Sequence, residues 1–221
     1  RLVRIDTEEG VLELRMRGDS DFLILVDGRV LMQSVSHRSE LELAVLACRP
    51  LRGAPRPRVL VGGLGMGYTL RAALDELPAD AEVTVAELTP RIVEWCRGPL
   101  AKLTAAAVDD PRVRLHVGDV AAVIAGTPAA ARWDAIVLDC LGTWLTAVLD
   151  DLAAWEAPRA AWSAGLQERT EALIAAWSQS PHDLVAVTNE VGWGVVSEHR
   201  SGRIFADELG RLNQRMAAAS D

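Results

Sequence analysis

The stretch Arg58-Val-Leu-Val-Gly-Gly-Leu-Gly-Met-Gly-Tyr-Thr-Leu-Arg71 decides the fold of this chain of 221 residues. Its apolar start, residues 59–61, predicts a buried strand, and apolar residues at helical spacing predict a helix over residues 68–77. Four glycines join the two elements: Gly62, Gly63, Gly65 and Gly67. Glycine adopts positive φ without strain and lets a ligand approach the backbone, while the following helix presents free N–H groups. The stretch therefore predicts the opening of a nucleotide-binding βαβ unit.

Strands and helices alternate after this unit. Buried strands are predicted over residues 83–86, 112–117, 133–138 and 184–188, with helical patterns between them. This order predicts a doubly wound, mostly parallel Rossmann-like sheet with helices on both faces. Because such sheets bind ligands at the carboxyl ends of their strands, the residues at those ends are the candidates for a site.

The start of the chain has a different pattern. Apolar and polar residues alternate there, and Asp27-Gly28 is typical of a hairpin turn, which together predict an antiparallel β appendage. Ser39 is the expected N-cap of a helix over residues 40–48. We therefore predict an appendage of residues 1–50 followed by an α/β domain of residues 51–221.

Composition limits the class of partner. A net charge of −8 argues against a nucleic-acid or membrane partner. No apolar stretch reaches the ~20 residues of a membrane span, and the first ten residues are too charged for a signal peptide. The wide spacing and odd number of Cys48, Cys96 and Cys140 predict reduced core thiols in a cytoplasmic protein. No metal cofactor is predicted.

Three acids stand at strand ends. Glu87 follows the second strand about twenty residues after the glycine turn, where a carboxylate can accept hydrogen bonds from ribose hydroxyls. A solvated strand-end carboxylate is the alternative for Glu87. Asp119 follows the third strand, where it can accept from an adenine amino group, cap the next helix, or do both. Asp139 closes the fourth strand.

The first part of the chain, to about residue 138, resembles the spermidine synthase (polyamine aminopropyltransferase) family. The resemblance rests on the order and spacing of seven stretches: Leu31-Met-Gln-Ser, His37-Arg-Ser-Glu40, Val59-Leu-Val-Gly-Gly-Leu-Gly-Met-Gly67, Val83-Thr-Val-Ala-Glu87, Val93-Glu-Trp-Cys96, Gly118-Asp119 and Trp133-Asp-Ala-Ile-Val-Leu-Asp139.

This resemblance implies a small adenosyl ligand, namely S-adenosylmethionine, its decarboxylated form or methylthioadenosine. It implies that Gly62, Gly63, Gly65 and Gly67 face the ligand, that Glu87 holds the ribose, that Asp119 meets the adenine, and that Gln33 lies near the ligand. The chain departs from the family after the fourth strand, because Cys140-Leu-Gly-Thr-Trp144 follows Asp139 where the family has an acid-rich loop for the attacking amine.

The last part, from about residue 135 to residue 221, resembles the adenosylcobinamide kinase/adenosylcobinamide-phosphate guanylyltransferase family of cobalamin synthesis. Three stretches carry this resemblance: Asp139-Cys-Leu-Gly-Thr-Trp-Leu-Thr146, Val187-Thr-Asn-Glu-Val-Gly-Trp-Gly-Val195 and Gly202-Arg-Ile-Phe-Ala-Asp-Glu-Leu-Gly-Arg-Leu-Asn-Gln214. It implies that Asp139 is a metal-associated carboxylate, which makes it the candidate catalytic residue. The family's phosphate loop needs a lysine where this chain has Tyr68 after Gly67, so ATP turnover is not expected.

The two resemblances meet in one strand, near residues 135–139. We interpret the chain as an engineered chimera without native catalysis that retains a site for S-adenosylmethionine or methylthioadenosine. Two alternatives stay open: an aminopropyl- or methyltransferase related to spermidine synthase, and a protein of cobalamin synthesis related to cobinamide kinase. Both families are generally oligomeric, so an oligomer is compatible with either.

Overall fold

The computed structural model describes residues 2–7, 10–18, 20–26, 28–128, 131–192 and 196–220. Asp27 of the predicted hairpin turn and Trp193, Gly194 and Val195 of the quoted resemblance lie outside these residues. The chain splits into two compact units, Arg1–Val137 and Leu138–Asp221. This division by compactness does not test two of the predictions, the domain boundary near residue 50 and the junction of two parent segments at residues 135–139. Both stay predictions.

The N-terminal sheet is antiparallel, as the alternating pattern predicts. Its strands pair in the order β1 (Val3–Thr7), β2 (Gly10–Arg17), β3 (Asp21–Val26) and β4 (Arg29–Gln33). Leu14, Phe22 and Ile24 are almost fully buried on one face. Glu13 is also buried, at 2 % exposure, because Arg4 and Arg15 pair with its carboxylate. The alternating pattern did not predict this buried acid.

Helix α1 (Arg38–Cys48) follows the sheet. Its N-cap is His37 rather than the predicted Ser39, which lies inside the first turn and donates to its neighbour Glu40. The prediction of Ser39 was wrong because a capping serine must be the last non-helical residue before the first turn, and the helix already begins at Arg38.

The second sheet is parallel and has five strands. Its order is β7 (Val113–Val117), β6 (Glu82–Glu87), β5 (Arg58–Gly62), β8 (Ala135–Asp139) and β9 (Leu184–Val187). The strand order reverses at β5, as in doubly wound folds, and the ligand crevice of such folds lies at the carboxyl end of the strand where this reversal occurs. The fold is therefore the Rossmann-like α/β fold that the sequence predicts, with an antiparallel sheet at its start.

Helices connect these strands at the predicted places. Their bounds are α2 (Tyr68–Glu76), α3 (Pro90–Arg97), α4 (Val120–Gly126), α5 (Leu141–Asp151), α6 (Arg159–Gln179) and α7 (Arg200–Ala218). Short 3-10 turns cover Arg49–Leu51, Ala101–Leu103 and Ala107–Asp109. None of the helices within the described ranges combines the length and apolar character that crossing a membrane requires.

The unit of residues 138–221 has its own apolar core. Helices α5, α6 and α7 bury Leu145, Leu149, Trp162, Leu209 and Met216 against one another. Trp162 is 1 % exposed, and burying so large a side chain contributes about 2–3 kcal/mol to folding. This core holds in place the two helices, α6 and α7, that also carry polar side chains.

Candidate functional site

The glycine turn after β5 has the backbone geometry that its sequence predicts. Gly63, Gly65 and Gly67 adopt positive φ angles of 95°, 52° and 84°, a region that residues with a Cβ rarely occupy. Gly67 ends the turn as the N-cap of α2, and its N–H donates to the Leu64 carbonyl at 2.8 Å. The turn is thus closed on itself and leads directly into a helix N-terminus.

Glu87 lies beside this turn, at the end of β6. One carboxylate oxygen accepts a hydrogen bond from Leu64 N–H at 2.8 Å, and the other accepts from Thr89 N–H at 2.9 Å. Each oxygen of an ionised carboxylate can accept a second bond. Glu87 is partly exposed, so it is a fixed acceptor at the carboxyl ends of β5 and β6 with capacity for a ligand.

Residues of the N-terminal sheet support the turn from behind. The Met32 side chain packs so closely on Gly65 that a Cβ at this glycine would lie 2.7 Å from the Met32 methyl carbon. The phenol of Tyr68 donates to the Ser34 carbonyl at 3.1 Å and stacks on the His37 ring at 4.0 Å. Burial raises the pKa of Tyr68. Tyr68, the first residue of α2, is therefore turned into the protein and holds the turn in place.

Sequence analysis missed Met32 and this packing role of Tyr68. Both depend on contacts between the antiparallel sheet and a turn some thirty residues further along the chain, which no local pattern records.

Asp119 and Gln33 are both exposed. Asp119 is the N-cap of α4, where its carboxylate accepts from Ala121 N–H at 2.8 Å. This geometry confirms the capping role and leaves the adenine contact a prediction. Gln33 ends β4, where it pairs in register with Leu23.

A second polar cluster lies in the unit of residues 138–221. Asp139 ends β8, and the next residue, Cys140, has its sulfur 3.4 Å from Thr143 Oγ1 and 3.9 Å from Asn189 Oδ1. Thr188 and Asn189, which follow β9, are bound to α7 at this cluster. Asn213 of α7 donates to the Asn189 carbonyl at 3.0 Å and accepts from the Thr188 hydroxyl at 2.7 Å. The cluster therefore joins residues from three separate parts of the sequence.

Gly142 permits this convergence. A Cβ at Gly142 would lie 2.7 Å from Asn189 Oδ1 and 3.6 Å from the Phe205 ring, closer than real Cβ atoms approach an oxygen. Neither Gly142 nor Asn213 was predicted as a site residue, although both belong to stretches that the second resemblance quotes. No group of three or more His, Cys, Asp or Glu side chains in the described ranges could hold a metal ion.

The fold and these clusters define a Rossmann-like α/β protein with polar side chains at the carboxyl ends of its strands. Comparison with protein families narrows the class for one part of the chain. Residues 115–221 match the family model described as cobinamide kinase / cobinamide phosphate guanyltransferase. The match begins twenty residues before the start expected from the sequence.

Two curated proteins are similar to the same part of the chain. The bifunctional adenosylcobalamin biosynthesis protein CobU of Salmonella typhimurium is 44 % identical over 92 residues, which are 40 % of this chain and 51 % of the relative. The protein of the same name from Escherichia coli is 37 % identical over 92 residues with the same coverage. The chain thus spans about half the length of the curated relatives that it matches.

Solved structures show a different likeness. Spermidine synthase from Thermotoga maritima superposes with a TM-score of 0.50 and 21 % identity, covering 62 % of this chain and 45 % of that protein. A spermidine synthase in complex with the transition-state analogue AdoDATO gives the same TM-score and identity and covers 46 % of that chain. At this identity the likeness shows the fold alone.

The comparisons test the two predicted family resemblances. The C-terminal part of the chain is similar to the cobinamide kinase family, as predicted, and structures of spermidine synthase share part of the fold. The interpretation of the chain as an engineered chimera without catalysis finds no support in them. The adenosyl ligand and the predicted roles of Gln33, Gly62, Gly63, Gly65, Gly67, Glu87, Asp119 and Asp139 stay predictions.

Proposed function

We propose that this chain acts in adenosylcobalamin biosynthesis and that residues 138–221 bind a corrinoid substrate of the cobinamide class. The observation that carries the proposal is the convergence of Cys140, Asn189 and Asn213. These residues lie in the region that matches the cobinamide kinase family, and they come from three distant stretches that meet at the ends of β8 and β9.

The chemistry of the cluster suits such a substrate. Cobinamide carries primary amide side chains around its ring and a terminal hydroxyl. Asparagine amides both donate to and accept from such groups, and a hydroxyl such as that of Thr143 can do the same. Asn189 is exposed, so its side-chain amide is accessible to a ligand. Its backbone carbonyl accepts a hydrogen bond from Asn213.

Phosphoryl transfer is a separate question from binding. The glycine turn of this chain is followed by Tyr68, whose phenol bonds to the Ser34 carbonyl and cannot neutralise a triphosphate as an ammonium does. We therefore expect corrinoid binding without cobinamide-dependent consumption of ATP.

Equilibrium dialysis against dicyanocobinamide, read by its visible absorption, tests this proposal. The purified chain should retain the corrinoid, and Asn189→Ala should bind at least about fivefold more weakly because a hydrogen bond contributes about 1 kcal/mol. Gln214→Ala is the matched control, since this exposed amide lies on α7 next to Asn213. No retention by the unaltered chain, or equal losses in both variants, would contradict the proposal.

A second candidate function is the binding of a small adenosyl ligand by residues 2–137. The specific observation in its favour is the Glu87 carboxylate, held by two backbone N–H groups next to three glycines of positive φ. A carboxylate in this position at a Rossmann switch point accepts hydrogen bonds from both ribose hydroxyls. S-adenosylmethionine and methylthioadenosine share that ribose, and Asp119 and Gln33 are further candidate contacts.

Calorimetric titration with methylthioadenosine tests this second function. Glu87→Gln should weaken binding at least about tenfold, because a hydrogen bond to a charged group contributes about 1.5–3 kcal/mol. Glu82→Gln is the control, as it changes an exposed glutamate at the opposite end of the same strand. Absence of heat at millimolar ligand would rule the function out.

A further inference from the structure

A groove in the unit of residues 138–221 is lined by an unusual set of charges. It has a volume of about 230 Å³ and lies between α6 and α7, with Arg159, Trp162, Thr170, Glu208, Arg211 and Arg215 in its walls. Three arginines face one glutamate, which leaves an excess of two positive charges in a protein whose net charge is −8. Sequence analysis did not predict this groove.

Glu208 holds two of the arginines in fixed positions. It is 7 % exposed, and the same carboxylate oxygen accepts from Arg159 at 2.8 Å and from Arg211 at 2.6 Å. A buried carboxylate needs such partners. Arg159 also lies over the Trp162 ring, with its guanidinium carbon 5.5 Å from the ring centroid. The two guanidinium groups are thereby oriented before any ligand arrives.

Arg215 is one helical turn beyond Arg211 on α7, so both side chains project from one face of that helix. Among the residues that the structure describes, Arg215 has no carboxylate partner. Adjacent like charges repel, and an anion between them would remove this cost. Guanidinium groups bind oxyanions through paired N–H donors.

The other wall of the groove is apolar. Trp162, Leu166 and Leu212 lie at the base of the groove and are 1 %, 6 % and 2 % exposed, so they leave little surface for contact with a ligand. A volume of about 230 Å³ is below the usual range of sites for drug-sized molecules, which favours a compact ligand.

From these observations we propose that the groove between α6 and α7 binds a small oxyanion, a phosphate monoester or a carboxylate. Arg211 and Arg215 hold the anionic group. This site is separate from the Asn189 cluster, and its test does not depend on corrinoid binding.

Calorimetry with phenyl phosphate and with benzoate tests the proposal on the full chain. At least one of the two should bind with one site per chain, and the one that binds identifies the ligand as a phosphate ester or a carboxylate. Arg215→Gln should weaken that binding about two- to fivefold, the effect expected for one exposed charge pair.

Two further variants sharpen the result. Arg169→Gln, an exposed arginine of α6 paired with Asp151, should bind the probe as the unaltered chain does. Glu208→Gln should bind it more tightly if the chain remains folded by circular dichroism, because the positive excess rises by one. Binding of neither probe, or equal affinities of the Arg215 and Arg169 variants, would overturn the proposal.

Discussion

The Glu87 carboxylate accepts a hydrogen bond from the Leu64 N–H at 2.8 Å, which ties the end of β6 to the glycine turn after β5. The bond spans 23 residues of sequence and fixes an acid beside a turn built for close approach of a ligand. The same carboxylate also accepts a hydrogen bond from the Thr89 N–H, so it connects the turn to the segment that follows β6. The residues that tie the turn to the fold are therefore among those that we propose to bind the adenosyl ligand.

Replacement of Gly65 by alanine should destabilise the chain. Gly65 has a φ of 52°, and a Cβ there would lie 2.7 Å from the Met32 methyl carbon. The left-handed backbone costs about 1–2 kcal/mol for a residue with a Cβ, and Met32 must also move. We expect Gly65→Ala to lower the free energy of urea unfolding by about 1–3 kcal/mol.

Gly53→Ala is the control for this variant, because a Cβ at Gly53 meets no atom within 4 Å and its φ is not in the left-handed region. This control should be neutral or slightly stabilising. Equal unfolding free energies for the two variants would show that neither the backbone conformation nor the Met32 contact constrains the turn.

The pair formed by Asp110 and Arg112 should make stability depend on pH. Hydrogen bonds from the Arg112 side chain lower the pKa of Asp110 from its ordinary value of 3.8 to about 2. Both side chains are less than one fifth exposed. A carboxyl whose pKa is lower in the folded state stabilises the fold above its unfolded pKa, and this contribution is lost as pH falls from about 4 towards 2.

Asp110→Asn should therefore lower the unfolding free energy by about 1–3 kcal/mol at pH 7, and the difference from the unaltered chain should shrink between pH 4 and pH 2.5. Asp109→Asn is the matched control, because Asp109 is 55 % exposed and pairs with the exposed Arg97. A difference that is constant with pH would mean that the charge of Asp110 does not stabilise the fold.

Arg112 also donates to the carbonyls of Leu74, Leu77 and Pro78 at the C-terminal end of α2. Loss of this side chain would thus remove contacts beyond the ion pair, so Asp110 is the better residue for isolating the charge.

The three cysteines should differ in reactivity. Burial raises the pKa of Cys48 and of Cys96 to about 12, and the Cys96 thiol donates to the Gly65 carbonyl at 3.3 Å. Cys140 is only half-buried, which corrects the prediction that all three are core thiols. Because the thiolate is the reactive form, iodoacetamide at pH 8 should label Cys140 alone in the native chain.

Mass spectrometry of peptides reads this labelling, with the urea-unfolded chain as the reference in which all three cysteines react. Rapid native labelling of Cys96 would contradict the packing of α3 against the glycine turn.

Much of the fold could be predicted from the sequence. Three features are local patterns: the apolar run of β5, the glycines after it, and the strand-end acids Glu87 and Asp139. The structure forms β5 from the apolar run and places the glycines and both acids at the carboxyl ends of parallel strands. Side chains whose role depends on a distant partner could not be predicted. Met32 packs on Gly65 and Asn213 bonds to Asn189, and neither contact leaves a periodic signal.

Buried acidic residues could not be predicted from the sequence either. Glu13 and Glu208 are both at least nine-tenths buried, whereas an acid in an alternating strand or on a helix face is normally exposed. Each is buried because two arginines pair with it, and such triads form only when the tertiary structure brings the charges together.

We propose that the chain has two ligand sites, a corrinoid site at Asn189 and an adenosyl site at Glu87, and a crossed binding experiment tests both. Dicyanocobinamide contains no adenosine and methylthioadenosine contains no corrin ring, so each can be titrated separately into the unaltered chain, Asn189→Ala and Glu87→Gln. We expect Asn189→Ala to weaken only corrinoid binding and Glu87→Gln to weaken only methylthioadenosine binding. Failure of the unaltered chain to bind either probe, or equal loss of both probes in either variant, would contradict it.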